Sequence, residues 1–401
     1  MPQDWRSTSL HNRVNAHHYR TWESFSQDGL CHSKKQTTLN PAGKPTHRRS
    51  VFTDTSKCFQ HFGYENFDLD RVRLRYPHGC PIAACSTPLI NIPDSRGERL
   101  FCPTHGIRLH SKTFVYWNGV EQKDKARLRN FVIRQDLARD IALRSVEKAE
   151  SHRLGYEMSE DALSWNVFVG LAEAGKLRHA VRFLTGSNVD AEPSLYLWGI
   201  DVLTGECFPP LHAVRDKLEK GIKRFRTEPD VMLVVDGRLV ICVEAKFGSG
   251  NPLAYDGKVE DDQKPTDRVG LLRRYLDQAT ADTRRIINRE GIGKEFHSQL
   301  FRNVIFASEM APQMANGCDW HVVNLVSETQ WNKHCDSNQY SFKDPEPYVR
   351  SYLHQDCRQR FSFRTWEELY GALIKGDTAL GQLNAYICSK SAHYARAFDL
   401  H

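Results

Sequence analysis

The sequence predicts an α/β protein with a mixed central β-sheet flanked by helices, preceded by a small N-terminal module and followed by C-terminal helices. Three observations support this fold class. Residues 229–250, PDVMLVVDGRLVICVEAKFGSG, contain two apolar runs on either side of Asp236 and Gly237. From about residue 157 onward, predicted helices and strands alternate along the chain. Residues 76–120 carry closely spaced cysteine and histidine residues among short predicted strands and turns.

The composition predicts a cytoplasmic protein with a basic N-terminal half. The chain has 401 residues, of which 40% are hydrophobic, and no apolar run reaches the roughly 20 residues of a membrane-spanning helix. Lys and Arg outnumber Asp and Glu by 9 to 4 in residues 1–60 and by 16 to 11 in residues 61–156. This basic half suggests a polyanionic partner such as nucleic acid, although a solvated basic surface accounts for the charge equally well.

The front of the chain divides into three predicted segments. Residues 1–60 lack a sustained apolar period and are predicted to form a basic, largely irregular extension. Residues 61–123 form the small module. Residues 124–151 contain neither Gly nor Pro and are rich in helix formers, so the segment 124–156 is predicted to be a linking helix.

The small module carries a predicted structural zinc site. Four residues separate Cys80 from Cys85, two separate Cys102 from His105, and sixteen lie between the two pairs. Two close ligand pairs joined by enough chain for a hairpin are typical of a zinc ribbon, in which four ligands leave no open position on Zn²⁺. His78 and His110 are rival fourth ligands. The alternative interpretation is two buried thiols beside an unrelated histidine.

The hairpin at residues 229–250 carries charged residues where a buried structure would exclude them. The runs VMLVV and LVICV lack alternation, which is typical of central strands covered on both faces. Asp230 precedes the first run, and Glu244 and Lys246 end the second. Burying them costs several kcal/mol each unless they pair or bind a metal. Two carboxylates and a lysine suit a hard cation and the hydrolysis of a phosphodiester. An ordinary core whose charges pair with each other is the alternative.

The three charged residues act together only if they share one face of the hairpin. Glu244 and Lys246 are two residues apart and therefore share a face. A two-residue turn at Asp236 and Gly237 would place Asp230 on the opposite face. We therefore predict either a three-residue loop that begins at Val235, which pairs Asp230 with Cys242, or a compensating bulge.

These residues resemble the motif of the PD-(D/E)XK nuclease superfamily. Pro229 and Asp230 match its PD, and after thirteen residues Glu244, Ala245 and Lys246 match its (D/E)XK. The resemblance implies a restriction-endonuclease-like core over residues 157–330, with catalytic Mg²⁺ or Mn²⁺. It also implies an acidic residue on an initial helix, which residues 159–175 provide with Ser159 as the cap. Glu160 is preferred over Asp161 as the third carboxylate at the metal because it shares the apolar stripe of that helix. The alternative is that both are only favourable acidic residues of a first helical turn.

The remaining predicted elements complete this core. They are a strand at 193–202, a helix at 267–290, strands at RNVIFASEMA and HVVNLV, and a C-terminal helical extension over 331–401 with a capping box at Thr365 and Glu368.

The sequence as a whole therefore predicts a metal-dependent endonuclease. The resemblance favours DNA over RNA and a role in genome defence or mobile-element biology. Protein partners in a multi-component system and a homodimer are further expectations. The alternative from another class is a non-catalytic nucleic-acid-binding or scaffolding protein on a nuclease-like fold.

Overall fold

The computed structural model describes most of the chain after residue 66. The described residues are 67–74, 78–94, 97–109, 114–116, 128–142, 152–221, 228–248, 254–255, 268–288, 295–314, 317–336, 345–392 and 398–400. The basic extension predicted for residues 1–60 lies outside them.

The N-terminal module contains a four-stranded antiparallel sheet in which neighbouring strands follow each other along the chain. Its elements are α1 (Leu69–Val72), β1 (Ile90–Asp94), β2 (Gly97–Cys102), β3 (Ile107–Leu109) and β4 (Phe114–Tyr116). Its buried core is small and includes two cysteines together with Phe67, Val72, Ile82, Ile107 and Leu109. A core of this size makes a bound metal a natural source of stability.

A six-stranded mixed sheet forms the centre of the main body in the part of the chain that the structure describes. Its strands are β5 (Ser194–Leu197), β6 (Ile200–Asp201), β7 (Val231–Val235), β8 (Leu239–Lys246), β11 (Asp319–Val326) and β12 (Phe361–Thr365). The spatial order is β12-β11-β8-β7-β5-β6, with β12, β11 and β8 parallel and the other neighbours antiparallel. The predicted α/β class with a mixed sheet is confirmed.

Helices cover both faces of this sheet. The described helices of the main body are α2 (Gln135–Ala142), α3 (Glu160–Glu173), α4 (Leu177–Thr185), α5 (Pro209–Leu218), α6 (Arg268–Gln278), α7 (Ala281–Ile286), α8 (Ser298–Met310), α9 (Glu328–Asp336), α10 (Pro345–Ser351), α11 (Trp366–Leu373) and α12 (Gly381–Ala392). Two further short strands, β9 (Ala254–Tyr255) and β10 (Glu295–Phe296), pair with each other.

Strands β7 and β8 are buried along their whole length, as their unbroken apolar runs predict. Alternate side chains enter two different cores. Leu233 and Val243 pack with residues of α3, α4, α11 and α12, whereas Val234 and Cys242 pack with residues of α5, α6 and α8. Glu244 and Lys246 follow Cys242 at two-residue spacing, so their side chains lie on the face of the sheet that α8 covers.

The predicted register of the β7–β8 hairpin is wrong by two residues. Val231 pairs with Val243, and Val235 pairs with Leu239, so the loop is Asp236–Gly237–Arg238. Gly237 has a φ of 61°, and the Arg238 N–H closes the loop on the Val235 carbonyl at 3.0 Å. Extended by one residue, this register sets Asp230 opposite Glu244. Asp230 and Glu244 therefore lie on one face of the hairpin, as expected, although the loop that aligns them differs from the predicted one.

The strand predicted at 193–202 is a tight hairpin instead. Strands β5 and β6 are joined by Trp198 and Gly199, which have φ values of 54° and 76°. Two consecutive residues with positive φ form the turn that suits a two-residue hairpin. Tryptophan is rare in that conformation, and the apolar sequence gave no sign of a turn there.

The continuous helix predicted at 124–151 is also wrong within the described residues. Helix α2 begins only at Gln135, after Arg134 with a φ of 45°. Side chains of α3 take the hydrogen bonds that a helix would have made. Asn166 Oδ1 accepts from the N–H groups of Val132 and Ile133 at 2.7 and 3.2 Å. Residues 143–151 lie outside the described residues.

Two predictions between residues 267 and 311 need correction. The helix predicted at 267–290 is divided into α6 and α7, because Thr280 caps the second helix through the N–H of Thr283. The segment RNVIFASEMA, predicted to be a strand, belongs to α8. Almost every side chain of α8 is buried, so the apolar run carries no helical period, and short apolar runs leave helix and strand undecided.

The C-terminal segment, predicted to be helical, also contributes a strand to the central sheet. Strand β12 pairs in parallel with β11, so the sheet continues past the predicted boundary at residue 330. The capping box of Thr365 and Glu368 at α11 is confirmed. Helix α12 is tied to the chain just before α3 by a buried ion pair between Lys390 and Glu157. Among the described residues, no helix has both the length and the apolar character needed to cross a membrane.

Candidate metal centre and candidate active site

Three cysteines and one histidine of the N-terminal module converge as the sequence predicts. The donor atoms of Cys80, Cys85, Cys102 and His105 all lie within 4.8 Å of one another. Cys80 Sγ is 3.3 Å from His105 Nδ1, and Cys85 Sγ is 3.8 Å from Cys102 Sγ. The edge of a tetrahedron around Zn²⁺ with thiolate ligands is about 3.8 Å. The cluster can therefore hold a metal such as zinc, with Nδ1 as the histidine ligand.

Local backbone geometry brings the two ligand pairs together. The turn after Cys102 closes through the Gly106 N–H, which donates to the Cys102 carbonyl at 2.9 Å, and Gly106 has a φ of 60°. Arg71 Nη1 donates to the carbonyls of Cys80 and Cys85 at 2.9 and 3.0 Å, and Asp68 binds its Nε. Arg71 thus fixes the backbone of the first ligand pair through hydrogen bonds, as outer-shell residues do at metal sites.

The thiol chemistry suits metal binding. Hydrogen bonds from Cys80 and then from His105 lower the pKa of the Cys102 thiol to about 4. Thiolate is the form of cysteine that binds zinc. The hydrogen bond to Cys102, together with burial, raises the pKa of Cys80. Of the rival fourth ligands, His78 is exposed and lies outside the cluster, and His110 lies outside the described residues.

The second cluster lies at the end of β8 and contains all four predicted active-site residues. Lys246 Nζ donates to Glu244 Oε1 at 2.5 Å, and these side chains are among the most buried charged groups of the main body. Glu244 is 4% exposed and Lys246 7% exposed. A buried charge requires partners, and this pair provides one for each residue.

Asp230 and Glu160 reach the same place from different elements. Asp230 Oδ2 accepts from the Ala245 N–H at 2.9 Å, which fixes its carboxylate against the end of β8. Glu160 lies in the first turn of α3, whose N-terminus is capped by Ser159. Its Oε1 accepts from the Phe247 N–H at 3.0 Å. Both carboxylates are only partly buried, so they form the solvent-facing side of the cluster.

Asp161, the neighbour of Glu160, has a different partner. Its Oδ1 accepts from the indole Nε1 of Trp198 at 3.1 Å, and the Trp198 ring stacks on Trp165. Glu160 therefore bonds at the end of β8 and Asp161 does not, although residues 162–171 of α3 are all buried and form no separate apolar stripe.

Three carboxylates act on the charge of Lys246. Burial alone lowers the pKa of Lys246, but Glu244, Glu160 and Asp230 together outweigh burial and raise it. The lysine is therefore charged at neutral pH. Three carboxylates against one ammonium leave a formal excess of two negative charges, which a single divalent cation would neutralise.

Three contacts to this cluster were not predicted. Asn303 of α8 donates from Nδ2 to Glu244 Oε2 at 2.9 Å. The Lys246 carbonyl accepts from Trp366 Nε1 at 3.0 Å and from the Ser327 N–H at 3.2 Å. Of these three contacts, only that of Asn303 had a sign in the sequence, which is an asparagine within an apolar run. Trp366 and Ser327 lie 120 and 81 residues further along, where nothing local links them to Lys246.

The arrangement can present hard oxygen ligands next to a fixed positive charge. Asp230 and Glu244 share a face, so their carboxylates can bind one Mg²⁺ or Mn²⁺ from the same side. Among the described residues, the Cys and His cluster is the one group of three or more such ligands already gathered closely. The carboxylates at β8 would therefore have to move closer together to bind one ion.

Comparison of the chain with protein-family models, with curated proteins and with solved structures gives no match.

Proposed function

We propose that this protein is a metal-dependent nuclease that hydrolyses phosphodiester bonds, with a catalytic site like that of the PD-(D/E)XK superfamily. The observation that carries the proposal is the convergence of Asp230, Glu244 and Glu160 around Lys246 at the end of a buried hairpin. A purely structural site would not need three carboxylates around one lysine, because one partner already compensates its charge.

Each residue has a role that its geometry supports. Asp230 and Glu244 hold Mg²⁺ or Mn²⁺, which when bound polarises the phosphate and acidifies a water molecule. Lys246 is charged, so it orients the attacking water and offsets the negative charge that develops on the phosphate, rather than removing a proton. Glu160, whose Oε1 accepts from the Phe247 N–H, completes the site as the third carboxylate that would hold the metal.

The N-terminal module and basic residues supply the proposed contact with substrate. Residues 1–156 carry an excess of Lys and Arg, which favours binding to phosphates and predicts binding that weakens steeply with salt. DNA is the proposed substrate by the resemblance of the motif. A cytoplasmic setting, a defence or mobile-element role, and protein partners or a second copy belong to the same proposal.

A second candidate function follows from the closeness of the Lys246–Glu244 pair. With Nζ and Oε1 only 2.5 Å apart, the two charges already satisfy each other. That contact suits a non-catalytic nucleic-acid-binding or scaffolding protein that has kept a nuclease-like fold.

The first experiment compares the wild type with Lys246→Met, which keeps most of the aliphatic stem. Supercoiled plasmid and single-stranded DNA are incubated with Mg²⁺ or Mn²⁺, and then with EDTA. We expect metal-dependent cleavage that the substitution lowers at least about a hundredfold, because it removes a charge aimed at the reacting phosphate.

Lys217→Ala is the matched control, because Lys217 pairs with the buried Glu309 at 2.7 Å outside the site. It should cut like the wild type. Absence of cleavage by the wild type, with salt-sensitive DNA binding retained, would favour the binding protein.

A further inference from the structure

Asn303 contacts the proposed active site from helix α8, which packs on the face of the sheet that carries Glu244. Its Nδ2 donates to Glu244 Oε2 at 2.9 Å, and the residue is 2% exposed. Lys246 occupies the other oxygen, Oε1. Each oxygen of Glu244 thus has a separate donor, so the plane of the carboxylate is fixed by two bonds that approach from different elements.

Helix α8 is a rigid support for this contact. Phe301, Val304 and Ile305, which lie close to Asn303 on this helix, are fully buried in the core between the sheet and neighbouring helices. A side chain on such a helix has little freedom, so the direction of its amide is fixed before any ligand binds. An asparagine in this core is costly without a partner, and Glu244 provides that partner.

The chemistry of the amide matters as much as its position. A lysine or arginine at residue 303 would also satisfy Glu244, but its charge would compete with a divalent cation. The neutral amide donates a hydrogen bond and leaves unchanged the excess of two negative charges set by three carboxylates and Lys246. Donors of this kind orient the ligands of metal ions and increase their affinity.

We propose, resting on the nuclease function proposed above, that Asn303 is a positioning residue that sets the orientation of Glu244 and thereby the affinity of the site for its divalent cation. It does not touch the metal or the phosphate. It acts through Glu244 alone, so its loss changes the metal requirement of the reaction more than the binding of DNA.

The test uses the full-length, zinc-loaded protein and two substitutions at residue 303. Asn303→Ala removes the amide, and Asn303→Leu keeps a branched side chain without a donor. Mn²⁺ binding is measured by calorimetry, and plasmid cleavage is measured over a series of Mn²⁺ concentrations. We expect both variants to need roughly tenfold or more Mn²⁺ for half-maximal cleavage and to bind Mn²⁺ correspondingly less tightly. High Mn²⁺ should restore much of the rate, and the Kd for DNA should stay unchanged.

Asn166→Ala is the matched control for loss of a buried asparagine. Asn166 donates to the Asn130 carbonyl and accepts from two backbone N–H groups, all outside the site. The Asn166→Ala substitution should lower the Tm of the protein without changing the Mn²⁺ concentration needed for half-maximal cleavage.

The outcomes separate the two proposals. If the wild type cuts DNA and both residue-303 variants keep its Mn²⁺ requirement, the positioning role is wrong while the nuclease function stands. If Asn166→Ala, at a similar loss of Tm, raises the Mn²⁺ requirement as much as the residue-303 variants do, Asn303 is structural and the positioning role is again wrong. If the wild type neither binds Mn²⁺ nor cuts, both proposals fail together.

Discussion

His321 and Lys246 show how the same sheet treats two buried basic side chains in opposite ways. Lys246 keeps its charge because three carboxylates face it. Burial, and then the positive charges of Arg364, Arg350 and Arg360, lower the pKa of His321 on β11 to about 3. Its neighbours decide its protonation state, which the sequence HVVNLV does not reveal.

A hydrogen-bond chain fixes the tautomer of the neutral His321 ring. Its Nε2 lies 3.0 Å from Ser362 Oγ, and that hydroxyl donates to the Leu184 carbonyl at 2.6 Å. Because the Ser362 proton is already used, Nε2 must be the donor. The chain links β11, β12 and the C-terminal turn of α4, so it couples the neutral imidazole to the packing of three elements.

His321 should make stability fall in mild acid. Its pKa is about 3 in the folded protein and about 6.5 in an unfolded chain, so the unfolded state binds an extra proton between these values. The contribution of His321 to the free energy of unfolding is therefore complete above pH 6.5. It is lost as the pH falls towards 3, by up to about 1.4 kcal/mol per pH unit.

Urea unfolding of the wild type and of His321→Gln between pH 7.5 and 4.5 measures this effect. The free-energy difference between them should shrink as the pH falls, because glutamine binds no proton in either state. Parallel curves over the whole range would contradict the assignment.

Strand β12 lies at an edge of the sheet, and its outer backbone groups are bonded to side chains. Arg350 donates to the Phe361 carbonyl at 2.8 and 3.1 Å, and Glu346 accepts from the Phe363 N–H at 3.0 Å. Arg350 and Glu346 lie one turn apart on α10 and pair with each other. A further strand could bind this edge only by displacing both side chains, which protects the sheet from edge-to-edge association.

Removing this protection should promote self-association. We expect the double variant Glu346→Ala, Arg350→Ala to form dimers or larger species with rising concentration, because two backbone groups at the edge lose their partners. Light scattering coupled to size-exclusion chromatography measures the mass. Arg178→Ala, which removes one partner of an exposed pair with Glu192, is the control. A double variant with the same mass as this control at every concentration would show that the edge is protected by something else.

The whole molecule depends on contacts between distant parts of the chain. The carbonyl of Lys246 is held by Ser327, at the end of β11, and by Trp366, at the start of α11. The C-terminal segment thus supports the strand that carries the proposed active site. Truncating the chain at residue 330 would remove the edge strand β12 and the Trp366 contact, while the Ser327 contact would remain.

The metal centre of the N-terminal module should control the folding of that module alone. We expect the purified protein to contain one zinc per chain and Cys102→Ser to lose it, since thiolate ligands dominate the affinity. Without zinc, the small core around Phe67 and Ile107 is too limited to hold the sheet together.

Zinc content by elemental analysis and hydrogen exchange of residues 97–109 and 231–246 measure this prediction. Exchange should become fast in 97–109 and stay slow in 231–246. Zinc-free protein with slow exchange in both regions would contradict a structural role for the metal.

The sequence by itself determined the features whose signals are local. These are the ligand spacing of the metal centre, the buried strands β7, β8 and β11, the Ser159 cap of α3, and the capping box at Thr365. Each depends on residues within a few positions, where backbone geometry and side-chain type act directly. The motif residues at β8 were found in the same way.

Only the tertiary structure decided the rest. The helical state of α8, the break before Gln135 and the contact of Asn303 with Glu244 all depend on distant partners. Apolar runs buried on every side carry no period that separates helix from strand. Polar groups inside a fold are satisfied by whichever partner the packing brings near, and that partner has no fixed distance along the chain.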